Sequence, residues 1–165
     1  MLTKALGFFN AADILRRSKE YEKSKILFAP VLHLLAHGVE VQLKANLIGA
    51  GLSLDETRKT YGHNILALWE CAGNELLRDR ALKEAEVAWQ RAKMSRAWPD
   101  QFTEDPRELL EQNLRLIDEL HTKKSDYALR YVAEPGTVAP RVHLLVDTFL
   151  AVSWLCVGQP DLLTK

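Results

Sequence analysis

His33, His37, Glu40 and Lys44 follow one another at steps of four, three and four residues. On an α-helix those steps return to one face, so two imidazoles, a carboxylate and an ammonium share a single stripe. Such donors are of the kind that metal sites in helical bundles use, but those sites draw further ligands from facing helices. No second His or carboxylate pair of that kind stands out. The expectation is therefore no metal and no cofactor, with Glu40 and Lys44 joined as an i, i+4 ion pair. His63 follows Gly62 at a helix start, where aligned peptide dipoles disfavour its cation. Its neutral ring can cap that helix or reach across to Glu40. Arg130, between Leu129 and Tyr131, offers a planar guanidinium to a phosphate or a buried carboxylate. The chain has no Gly-rich phosphate loop, zinc signature, nucleophile elbow or Ser/His/Asp arrangement, so the familiar enzyme classes gain no support.

The elements that must hold these residues read as helices. Residues 2–27 give a loosely helical pattern with a charged second half. Pro30 suits a first turn, and residues 31–50, closed by Gly49 and Gly51, are apolar on most sides and so form the central helix. Ser53 and Glu56 make a capping box for a short helix over 54–60. Gly62 ends it, and Asn64 caps a further helix whose inner positions are Ile65, Leu68, Trp69, Ala72 and Leu76. Residues 81–97 predict a peripheral helix with a thin inner stripe of Leu82, Ala85, Trp89 and either Ala92 or Lys93. Asp105 and Pro106 open another amphipathic helix that reaches about Thr122. Residues 127–132 read as extended, 134–137 as a turn, and Pro140 opens a last apolar helix that Gly158 ends.

Composition narrows the choice of partner. Lys plus Arg and Asp plus Glu both number 22 among 165 residues, so no global charge draws the chain to nucleic acid or an anionic membrane. Cys71 and Cys156 lie within apolar helical patterns and read as buried free thiols. The first ten residues lack the apolar run and cleavage site of an export signal. The apolar stretch 142–157 is interrupted by His143, Asp147 and Ser153 and falls short of the ~20 residues of a membrane span. A single cytoplasmic domain over 1–165, with no membrane contact, is the expectation. Trp69, Trp89, Trp98 and Trp154 fall mostly on apolar helical positions and read as core or interface.

The run His37-Gly-Val-Glu40-Val-Gln-Leu-Lys44-Ala45, then Gly51-Leu-Ser-Leu, Tyr61-Gly62-His63-Asn64-Ile65 and Leu129-Arg130-Tyr131, resembles the HEPN-like helical proteins over roughly residues 30–150. The resemblance implies an all-α fold and a function among RNA- or nucleotide-binding domains, metal-independent ribonucleases and toxin–antitoxin or defence components. Active members carry an Arg and, four to six residues later, a His, brought together across a dimer interface. There the His transfers a proton or orients the ribose hydroxyl, and the Arg stabilises phosphate charge. That spacing occurs here as Arg58 to His63 and as Arg115 to His121. Within a regular helix, six residues at about 100° each turn the second pair's side chains apart. Arg58 and His63 straddle Gly62, where a bend can join them, although earlier in the chain than the family's motif.

The reading is thus an all-α bundle of five to six helices, HEPN-like and homodimeric. Arg58 and His63 are its catalytic candidates, and His37, Glu40, Lys44, Tyr61, Arg130 and Tyr131 its ligand-binding candidates. The alternative is a non-catalytic bundle in which these residues stabilise the fold and surface helices bind a protein partner, which the neutral charge favours.

Overall fold

In the computed structural model, which describes residues 1–24, 26–122 and 138–159, helix α3 (Phe28–Gly49) runs through the middle of an all-helical bundle. Before it come α1 (Leu2–Arg16) and α2 (Lys19–Lys23). After it come α4 (Leu54–Tyr61), α5 (Ile65–Glu70), a 3-10 turn (Ala72–Asn74), α6 (Glu75–Ser95), α7 (Pro106–His121) and α8 (Val142–Gly158). The described residues contain no strand. Helix α3 touches α1, α4, α5, α7 and α8, which makes it the central helix its composition predicts. No helix among the described residues is long and apolar enough to cross a membrane.

Helix α1 packs most extensively on α3 and also lies against α8. Gly38 gives Phe9 its place: a Cβ there would lie 2.6 Å from the Phe9 ring. Phe9 is fully buried and stacks on Phe149 of α8 with ring centroids 5.7 Å apart. Such offset ring pairs add to the roughly 2–3 kcal/mol that burying each Phe contributes.

Three sequence expectations change. Residues 2–27 form two helices, because Ser18 turns extended (ψ 152°) and its hydroxyl accepts the Tyr21 amide at 3.2 Å, starting α2 afresh. The helix begun by Asn64 stops at Glu70 rather than continuing to Leu76. Cys71 is extended (ψ 134°), and the buried Asn74 amide donates to the Leu68 carbonyl at 2.8 Å. Asn46 of α3 donates to both Asn74 and the Gly73 carbonyl, pinning the 3-10 turn against the central helix. The Ser18 break adds one helix to the seven segments read from the sequence, so the described residues hold eight α-helices against an expected bundle of five to six. Helix α6 starts at Glu75 and is not peripheral. Ala81, Ala85, Ala88 and Ala92 are buried with Leu77, Leu82 and Trp89, and these small side chains let α6 pack against α7 and α8. The extended segment and turn expected over 127–137 lie outside the described residues.

Candidate functional site

Local chemistry fixes where α4 ends and α5 begins. The predicted capping box is present: Ser53 accepts the Glu56 amide at 3.2 Å and Glu56 accepts the Ser53 amide at 3.0 Å. Gly62, at φ +52°, makes the bend that a side chain would strain. Asn64 then caps α5 by accepting the Ala67 amide at 2.8 Å. A second cap comes from another helix. The Asp118 carboxylate of α7 accepts the Ile65 amide at 2.8 Å and the Leu66 amide at 3.3 Å. Asp118 thereby docks α7 on the start of α5, and His121, one turn further along the same face, arrives beside α3.

Glu40 is the hub of what results. Its side chain is 7% exposed and accepts from three directions: Lys44 Nζ at 2.6 Å, His121 Nε2 at 2.9 Å and His63 Nδ1 at 3.1 Å. Burial alone would push its carboxyl up. The hydrogen bonds from His121, Lys44 and His63, with the Lys44 charge, outweigh burial and hold it down at about 2. An ionised carboxylate only accepts, so His63 and His121 each present an N–H to it. Lys44 also donates to the Gly62 carbonyl, tying the bend to the central helix. Imidazoles surround this hub. Ring centroids of His33 and His37 are 4.5 Å apart, those of His37 and His121 5.1 Å, and those of His121 and His63 5.9 Å. Four of the chain's five histidines thus form one group. Donor atoms of His37, Glu40 and His121 all lie within 4.8 Å of one another.

The sequence candidates part company here. Glu40 and Lys44 pair as expected, and His63 reaches Glu40 while the capping of α5 falls to Asn64 and Asp118. His37 joins the group through His33 and His121. Arg58 is exposed on α4 and makes no hydrogen bond or ion pair with His63 or Glu40 among the described residues. Tyr61 turns elsewhere, its hydroxyl 2.9 Å from the Cys71 sulfur. Arg130 and Tyr131 lie outside the described residues. Arg115 and His121 are separated as the helical angle requires: Arg115 is exposed beside Trp69, Glu70, Arg78 and Glu111, while His121 is buried.

His121 is the site residue that sequence reasoning passed over. It is the group from a facing helix whose lack argued against a metal. Its signal was available: Leu110, Leu114, Ile117 and His121 form the buried stripe of α7, so a histidine stood at a core position. Compared with known proteins, the chain matches no family model, no curated protein and no solved structure.

Proposed function

We propose that the chain is a HEPN-like domain that binds RNA or a nucleotide, with His63 as its proton-handling group. The observation that carries this reading is an imidazole 58% exposed and anchored by Nδ1 on the buried carboxylate of Glu40. A carboxylate at Nδ1 keeps the proton there and leaves Nε2 as an acceptor on the solvent side, the orientation a general base for a ribose hydroxyl requires. Lys44 holds the carboxylate and the Gly62 bend in place. Arg58, exposed one turn before that bend, supplies a cation for phosphate oxygens. The chemistry needs no bound metal, in line with the family that the sequence resembles.

The test compares wild type with His63→Ala in fluorescence-polarisation binding and cleavage of a mixed-sequence RNA oligonucleotide, beside thermal melts. Loss of binding or cleavage with a nearly unchanged melting temperature is the expected result. An RNA that wild type neither binds nor cuts, or an equally active variant, would overturn it.

A homodimer, or a protein partner docked on the same surface, is a second reading, with a specific observation behind it. Leu150, Ala151 and the 57% exposed Trp154 share one face of α8 and line a cleft with Arg91 of α6. Val87 and Met94, 55% and 80% exposed, stand a turn to either side of Arg91 on that face of α6. A surface that sets these exposed apolar side chains beside Arg17, Arg91 and Asp147 suits a self-complementary contact. Light scattering should give twice the chain mass for wild type and the single-chain mass for Trp154→Glu. A wild-type monomer that also captures no protein partner sinks this reading.

A further inference from the structure

The geometry points to a binding site for a divalent transition-metal ion of the zinc class at His37, Glu40 and His121. Three ligating groups come from two packed helices, His37 and Glu40 one turn apart on α3 and His121 from α7. Their donor atoms lie within 4.8 Å of one another. Metal–ligand bonds of about 2.0–2.1 Å in a tetrahedral site set neighbouring donors about 3.3 Å apart. His121 Nε2 is already 2.9 Å from Glu40 Oε2, and His63 Nδ1 is 3.1 Å from the same oxygen. The His121–Glu40 pair needs a shift of only a few tenths of an ångström to take an ion, and a rotation of the half-buried His37 ring must close the remaining separation, up to 4.8 Å. His63, 58% exposed, stands on the solvent side of Glu40 and lies outside this three-donor group, so the fourth place falls to solvent.

The donor set selects the ion. Two imidazoles with one carboxylate suit zinc, cobalt or nickel, whereas magnesium and calcium require mostly oxygen ligands. His121 enters the metal shell by giving up its Nε2–H bond to Glu40 and carrying its proton on Nδ1, an exchange every imidazole ligand makes. Lys44 works against the ion. Its ammonium holds the other carboxylate oxygen at 2.6 Å, which leaves Glu40 a single oxygen to offer and sets a positive charge nearby. The affinity should therefore be micromolar rather than nanomolar, and removing that charge should raise it about tenfold.

This inference stands apart from RNA binding, because it is read with the metal alone. The full chain, free of any histidine tag and stripped with chelator, is titrated with zinc by calorimetry and with cobalt by visible absorption. One ion per chain, a tetrahedral cobalt spectrum and at least tenfold weaker binding in His37→Gln are expected. His37→Gln leaves the Glu40 bonds to Lys44, His63 and His121 in place, so it is the variant to rely on if His121→Asn fails to fold. Lys44→Gln should bind more tightly. His143→Ala, whose ring meets Asp100 and Trp98 instead, should bind as wild type does. No uptake at tens of micromolar zinc, or equal uptake by His37→Gln and wild type, would overturn the assignment.

Discussion

Replacing Glu40 by Gln keeps the shape of the hub and removes its charge, so the cost can be worked from the geometry. The carboxyl is held at about 2 in the folded chain against 4.5 when unconstrained. Because the folded value is the lower one, the ionised form stabilises the native state in full above 4.5, and the advantage is lost as pH falls toward 2. At 1.36 kcal/mol per unit the upper bound is about 3 kcal/mol, and screening from the open His63 side brings the expectation to about 2–3 kcal/mol at pH 7. Loss of one partner from a buried ion pair gives the same order by a different route, since the Lys44 ammonium, 9% exposed, would keep only the Gly62 carbonyl and a neutral amide. At pH 3 less than half of the difference between the two proteins should survive. The assay is urea denaturation of wild type and Glu40→Gln at pH 7 and pH 3, followed by circular dichroism. A difference under about 1 kcal/mol at pH 7, or one that does not shrink at pH 3, would refute the account of Glu40 as an ionised, fully bonded hub.

Two further outcomes test other parts of the structure. Gly38→Ala gains helix propensity of about 1 kcal/mol but drives a Cβ into the buried Phe9 ring, so a net loss of about 1–2 kcal/mol is expected; an unchanged or raised urea midpoint would show that α1 and α3 pack otherwise. Burial pushes the Cys156 thiol up to about 11, against a smaller opposing pull from the Gln42 hydrogen bond. At pH 8 the folded chain should therefore release at most one equivalent of thiol, from the half-buried Cys71, to a disulfide reagent, and two in urea. Equal rates for both thiols in the native state would contradict the burial of Cys156.

What was legible in the sequence is what neighbours along the chain decide. The Glu40–Lys44 pair, the Ser53 capping box, the Gly62 bend and the Asn64 cap each involve residues within four positions, and each is found where spacing placed it. Apart from the local Ser18 cap that splits the first helix, the misreadings turn on partners brought from far away. The α5 helix stops at Glu70 because Asn46, 28 residues before Asn74, supplies the amide that holds the 3-10 turn. The hub is completed by His121, 81 residues after Glu40, through a docking that Asp118 provides. His121 continues the Leu110, Leu114, Ile117 stripe of α7 and so faces inward, yet no local rule says which distant group an inward polar atom will meet.

The central helix shows how that information is nevertheless stored. Glu40, Gln42, Lys44 and Asn46 are all buried, on a helix whose other residues are mostly apolar. Steps of two turn each side chain by about 200° from the last, so the four project to alternating sides. Each side finds different partners: His63 and His121 for Glu40, Ser153 and Cys156 of α8 for Gln42, the Gly62 carbonyl for Lys44, and the 3-10 turn for Asn46. An apolar residue in any of these places would pack in many registers. A buried polar atom is stable only opposite its complement, and one left unmatched costs about 1–3 kcal/mol. Four such atoms on one helix therefore set the positions of α8, the α4–α5 bend, the end of α7 and the start of α6. The same constraint gathers four histidines around Glu40, so that the groups fixing the bundle are also its clustered titratable side chains.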